Sequence, residues 1–145
     1  AGHATSTTVL DYTEHEADAE AAEHLEVEEG TAVVSCTRIR CADGEPIAVL
    51  SNLMPASMAP TREELENGGL YDLLRTQDII PTTAKQVIGA RNATTREAEQ
   101  LHERRRAALL TATRITYDQS GRVIEYGQHI YRASRYTFET SLFSS

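Results

Sequence analysis

The chain has 145 residues, 40% hydrophobic and 25% charged, which is enough for one self-sufficient domain and excludes a disordered or fibrous chain. No apolar run approaches the roughly 18 residues of a membrane-spanning helix, and two cysteines do not make a disulfide scaffold. The net charge of −8 is concentrated: residues 1–30 hold nine acids and no Lys or Arg, whereas 31–145 hold 13 acids against 14 bases. With Lys85 the single lysine, a direct grip on nucleic acid by this segment is not expected.

The chain opens Ala1-Gly2-His3 without Met or a signal-peptide pattern, so the natural protein is expected to be longer at this end. Residues 1–10 are Thr/Ser-rich and read as irregular, with Val9-Leu10 as an anchor. Glu16 to Leu25, rich in Ala and Glu, reads as a helix closed by the turn Glu28-Glu29-Gly30. Thr31 to Arg40 alternates as a strand, with Val33, Ser35, Thr37 and Ile39 on one face and Val34, Cys36, Arg38 and Arg40 on the other. Ala42-Asp43-Gly44-Glu45 is a turn signal, and Pro46 to Met54 returns as an apolar strand. Cys36 and Cys41 lack CxxC spacing and nearby histidines, so they read as reduced thiols of a cytoplasmic protein, not as a zinc site.

Pro55 and Pro60 break the second strand. Thr61-x-x-Glu64 has capping-box spacing for a short helix; after Gly68-Gly69, Leu70, Leu73 and Leu74 mark another helical turn. Thr82 to Ala90 reads as a strand, and Thr94-x-x-Glu97 as a second capping box opening a helix to about His102. Leu109 to Tyr117, the turn Asp118 to Gly121, and Arg122 to Arg132 read as a hairpin; Tyr136 to Phe143 reads as a last strand. Six of the eight aromatics lie at or after Tyr117, so this end is expected to carry the core. Strand pairs joined by tight turns predict an α+β domain: an antiparallel sheet with helices packed on one side.

No nucleophile motif, P-loop or dinucleotide fingerprint is present, and the histidines show no ligand spacing, so no catalytic residue, metal or cofactor is expected. Arg38 and Arg40 carry more information. At i and i+2 they share a strand face and repel unless an anion lies between them; alternatively they are two arginines on a solvated face. On the returning strand Val123, Glu125, Gly127, His129 and Tyr131 share a face. Glu125 stands in apolar company and needs a partner, either Arg38 or Arg40, or else forms an exposed cross-strand ion pair. A bend at Gly127 would let Glu125 and Tyr131 reach opposite ends of one ligand.

Arg38 to Ala48, reading R-I-R-C-A-D-G-E-P-I-A, resembles the hairpin motif of UTRA domains, the effector-binding halves of HutC-type GntR transcription regulators. Gly69 to Leu74, Thr94 to Leu101, Tyr117 to Tyr126 and Tyr131 to Tyr136 resemble further blocks of that family, in the family's order. The resemblance implies a chorismate-lyase-like fold. It also implies an effector-binding domain over 16–145, with 1–15 linking it to a DNA-binding domain absent here. It makes the chain a non-enzymatic repressor module in the cytoplasm, a homodimer that meets operator DNA only through that other domain. By motif position it makes Arg38 and Arg40 the grip on a small anionic metabolite, and Glu125 and Tyr131 pocket residues. Two departures stand at ligand positions: Leu50 where the family often has Glu, and Gly69 where it has Ser. They imply a flatter or more apolar anion, such as a carboxylated metabolite. Ser134 replaces the Asp of the last block, so a salt bridge there is expected to be lost. Chorismate lyase, which shares the fold, keeps open a small enzyme acting on an anionic substrate with Arg40 and Glu125; a protein-interaction module is a third reading.

Overall fold

A computed structural model describes residues 4–142. Six strands form a single antiparallel sheet: β1 (Thr5–Glu16), β2 (Ala32–Ala42), β3 (Glu45–Pro55), β4 (Thr83–Asn92), β5 (Ala108–Tyr117) and β6 (Val123–Arg132), in the order β1-β2-β3-β6-β5-β4. Four short helices complete the fold: α1 (Ala19–Leu25), α2 (Arg62–Asn67), α3 (Leu70–Thr76) and α4 (Thr95–Gln100). The antiparallel α+β class is the expected one.

The local signals act as the sequence predicts. Asp43 and Gly44 both have positive φ, 52° and 79°, as a two-residue hairpin turn between twisted strands requires. Thr61 and Thr94 each accept a bond from the backbone N–H three residues on, while Glu64 and Glu97 reach back to the cap N–H. In α1 the start shifts to Ala19, because the Asp18 side chain accepts from the Ala21 N–H and sets the cap there.

Four expectations are corrected. Residues 5–16 are a strand, not an irregular segment: β1 pairs with β2 from Thr5↔Ala42 to Glu16↔Ala32, with a bulge at Val9/Asp11. Its side chains are mostly polar and exposed, so the ladder, not an apolar stripe, holds it. Tyr136 to Leu142 forms no strand, and Tyr136 and Phe138 are exposed; Phe143 lies outside the described residues. The helices divide between the two faces instead of sharing one. On one face α2 and α3 bury Leu65, Leu70 and Leu74 against Val34, Cys36 and Met54. On the other, α1 packs Ala21, Ala22 and Leu25 on Val33, and α4 with the turn after it packs Ala98 and Leu101 on Val49. Val33 and Val34 are both buried for this reason: each side of β2 meets a helix. The core is therefore spread along the sheet and not gathered at the aromatic C-terminal end.

The last motif block keeps an ion-pair cluster despite Ser134. Buried Arg132 donates to Glu45 at 3.0 Å, to Glu103 at 3.1 Å and to the Pro46 carbonyl at 2.9 Å. The Ser134 hydroxyl donates to Glu103 at 2.6 Å, and Arg135 donates to Glu45 at 2.9 Å. Glutamates from the hairpin turn and from the segment after α4 thus supply the negative charge, pinning the end of β6.

Candidate functional site

Strand register brings the predicted residues onto one sheet face. Arg38 lies opposite Leu50, and Leu50 opposite His129; Arg40 lies opposite Ala48, and Ala48 opposite Tyr131. The next row toward α3 is Cys36, Asn52 and Gly127. Over these rows hang the first residues of α3. The result is a hollow of about 320 Å³ whose lining includes Arg38, Arg40, Leu50, Asn52, Gly69 and Tyr131. A second hollow of about 310 Å³ on the β1 side shares Arg38, Arg40 and Gly69. Five of the six residues singled out from sequence thus meet at one place.

Glu125 does not line it. This carboxylate is fully buried one layer down and makes no direct bond to either arginine. Asn52 Nδ2 donates to Glu125 Oε2 at 2.7 Å, while Tyr71 OH and Thr116 Oγ1 donate to Oε1 at 3.1 and 2.9 Å. The other end of the Asn52 amide accepts from Arg38 Nη2 at 3.1 Å. Arg38 is therefore coupled to the negative charge through an amide relay, which orients the guanidinium without neutralising it by contact. Both earlier readings of Glu125 give way to this one, because a buried carboxylate is stable wherever enough donors converge, and three neutral ones do so here. Nor does a bulge fall at Gly127: the register of β6 with β3 runs unbroken from Ala48↔Tyr131 to Leu53↔Tyr126. What Gly127 provides is room: a Cβ there would stand 2.5 Å from Glu125 Oε2 and 2.9 Å from His129 Nε2.

The electrostatics are positive and partly unsatisfied. Arg38 is only 5% exposed, and its Nε–H has no acceptor among the described residues. Burial draws its pKa below the usual arginine value, though a guanidinium remains charged at any working pH. Arg75 on α3 is the third guanidinium in the lining, paired with Asp72 at 3.0 Å, and Arg114 on β5 donates to Tyr71 OH at 3.1 Å and to Gln86 at 2.9 Å. His129 is 7% exposed and contacts Tyr131 OH through Nδ1 at 3.3 Å. Burial, reinforced by Arg114, Arg38 and Arg40, lowers its pKa to about 4, so it is neutral at pH 7.

This has a measurable consequence. Between pH 6.5 and about 4 the unfolded chain protonates His129 and the folded chain does not, so stability falls with acid over that window. The full contribution is about 3 kcal/mol, at 1.36 kcal/mol per pKa unit. Urea unfolding at pH 7 and pH 4.5 is expected to show His129→Gln losing about 2–3 kcal/mol less than wild type on acidification. Equal losses in the two proteins would contradict the neutral, buried imidazole.

Sequence reasoning missed Asn52, Tyr71, Thr116 and Arg114. Asn52 alone left a signal: it interrupts the apolar row Leu50, Asn52, Met54 on the buried face of β3. Tyr71, Thr116 and Arg114 come from distant elements, and only the sheet order brings them together.

The UTRA domain family model matches residues 1–137. The chain is 31% identical over 139 residues to the HTH-type transcriptional repressor NagR of Bacillus subtilis (strain 168), covering 94% of this chain and 57% of that protein. It is 29% identical over 116 residues to the HTH-type transcriptional repressor PhnF of Mycolicibacterium smegmatis, covering 79% of this chain and 48% of that protein. The chain thus spans about half the length of these curated relatives. Among solved structures, a Streptomyces coelicolor protein assigned as a transcriptional regulator superposes with a TM-score of 0.87 at 44% identity, covering 94% of this chain and 92% of that one. The effector domain of PhnF from Mycobacterium smegmatis superposes with a TM-score of 0.89 at 25% identity, covering 97% and 88%. Among the described residues no helix is long and apolar enough to cross a membrane.

Proposed function

Because the chain belongs to the UTRA domain family, we propose that it is the sensor of a bacterial HutC-type GntR regulator. In this reading a small anionic metabolite held by Arg38 and Arg40 alters DNA binding by a helix-turn-helix domain outside this chain. The observation that carries this reading is the state of the two guanidiniums. They share one hollow, neither forms an ion pair among the described residues, and the buried Nε–H of Arg38 lacks an acceptor. An unsatisfied buried donor costs about 1–3 kcal/mol, and a charge-assisted hydrogen bond contributes about 1.5–3 kcal/mol. An anion seated there recovers the first and adds the second.

The rest of the lining narrows the ligand. Leu50 and Gly69 offer no hydrogen-bonding side chain and Tyr131 stacks on Tyr136 at 4.4 Å between ring centroids, whereas Asn52, Tyr71, Asp72, Arg75 and His129 are polar. The Leu50, Gly69 and Tyr131 side favours a flat or apolar portion of the anion, as in a carboxylated metabolite. The ligand regulates only if it binds one arrangement of the regulator better than another; coupling of about 1–3 kcal/mol is typical. Operators read by helix-turn-helix dimers are two-fold symmetric, so the working unit is a homodimer. It acts in the cytoplasm and needs no cofactor.

Thermal melting against a panel of phosphorylated and carboxylated metabolites tests the reading. At 100 times its Kd a ligand adds about 2.7 kcal/mol, which at about 2–4 °C per kcal/mol raises Tm by about 5–11 °C. A panel in which no anion moves Tm counts against the sensor. The rival enzyme reading needs a carboxyl group in contact with substrate, and Glu125 lies beneath the floor with its oxygens already engaged. Turnover of chorismate by the purified chain would nevertheless restore it.

A further inference from the structure

The sheet face that carries Arg38 and Arg40 continues past the hollow they line. Register sets one row across five strands: Arg38, Leu50, His129, Ala112 and Ile88. Beside it runs a second row: Arg40, Ala48, Tyr131, Leu110 and Ala90. Directly opposed residues share a face, so each row begins at a guanidinium on β2 and ends at an apolar side chain on β4. Over the β4 and β5 end lies the segment that follows β6. Its Arg135 is tied to Glu45 at 2.9 Å, and Tyr136 stacks on Tyr131. Tyr136 and Phe138 close a cleft of about 80 Å³ with Ile88, Leu110, Ala112 and Tyr131. Its polar border is Thr111 with Gln86 and Arg114, which bond each other at 2.9 Å.

Ile88, Tyr136 and Phe138 are 41%, 37% and 50% exposed, so apolar side chains from two separate elements converge on a space that none of them fills. Tyr131 borders both this cleft and the arginine hollow. Ala112 of the cleft is the direct sheet neighbour of His129 in the hollow, one strand spacing of about 4.8 Å away. The imidazole on that path is neutral at pH 7 and sets no charge against an apolar group. Small-molecule sites typically measure about 300–1,000 Å³. The cleft is too small to hold a whole metabolite or a partner's chain, and the hollow of about 320 Å³ stands at the low end of that range. Size and continuity therefore make the cleft an extension of the hollow.

We propose that the cleft beneath Tyr136 and Phe138 is a second subsite, which takes the apolar end of the anion whose charged end Arg38 and Arg40 hold. The effector is then an amphipathic carboxylate with a straight hydrocarbon end, narrow enough to pass Tyr131. This rests on the anion clamp of the proposed function and supplies the other half of the ligand.

Isothermal titration with straight-chain carboxylates from butanoate to decanoate is expected to show affinity rising about fourfold per added methylene until the cleft is filled. Phe138 is half exposed, so Phe138→Ala is expected to keep the fold. It should weaken decanoate by about tenfold and leave butanoate within about twofold. The chain has no Trp, so Phe138→Trp places a single reporter at the cleft. Its emission is expected to shift to the blue with decanoate and to stay unchanged with butanoate or inorganic phosphate. Equal affinity for butanoate and decanoate overturns the subsite and leaves the anion clamp standing. So does a Phe138→Ala protein that keeps the full gain with chain length, or a Phe138→Trp emission that bound decanoate does not move. A carboxylate series that fails to bind while another anion of the metabolite panel raises Tm also overturns the subsite alone. A chain that binds no anion at all overturns both.

Discussion

Replacing Arg38 and Arg40 together by alanine is expected to abolish the Tm shift given by any anion that stabilises the wild-type chain. Each guanidinium offers charge-assisted bonds of about 1.5–3 kcal/mol, so losing one from each weakens binding by about 3–6 kcal/mol, or roughly two to four orders of magnitude in Kd. The two single variants are expected to differ. Arg40 is exposed and tied to nothing among the described residues, so Arg40→Ala should lower affinity and leave unliganded stability nearly untouched. Arg38 is buried and held by Asn52, so Arg38→Ala should also cost stability by leaving the Asn52 carbonyl without its donor. Isothermal titration with a ligand from the panel, beside urea unfolding of the unliganded proteins, separates the two effects. A double variant that keeps wild-type affinity would remove the anion clamp from the proposed function.

Glu125→Ala is expected to be the most destabilising single change at the site. It strips the acceptor from Asn52, Tyr71 and Thr116 at once, in a layer with no water-exposed alternative. Removing one partner from a buried charged network costs about 3–5 kcal/mol, a large share of the 5–15 kcal/mol typical of a whole domain. At about 2–4 °C per kcal/mol, Tm should fall by roughly 6–20 °C. Glu125→Gln should fall less: it keeps the volume, its carbonyl can still accept from Asn52, and its amide N–H can donate to the hydroxyls of Tyr71 and Thr116. A Glu125→Ala protein within about 1 kcal/mol of wild type would show that the relay does not hold the site together.

These two outcomes divide along a line that also runs through the sequence. Arg38 and Arg40 announce themselves because strand alternation is a local rule: two residues apart means one face, whatever the rest of the chain does. The turn at Asp43-Gly44 and the capping boxes at Thr61 and Thr94 are local in the same way, since each depends on backbone geometry within four residues. Glu125 belongs to the other class. Its depth is set by which strand β6 lies beside and by what α3 brings over it.

β1 and the C-terminal segment show the same division from opposite sides. Residues 5–16 lack a hydrophobic period, yet they form a strand because β2 offers them a free edge along its whole length. Residues 136–142 alternate like a strand, yet they pair with none: β6, which they follow, is already flanked by β3 and β5, and they do not add to the free edge of β4. Pairing is a contract with a distant partner, and alternation states only one side of it. Local spacing therefore settled the hairpins, the caps, the arginine pair and the antiparallel class. Long-range register settled the rest: Glu125 beneath the floor, Asn52 as its link to Arg38, and β4 left open at the margin.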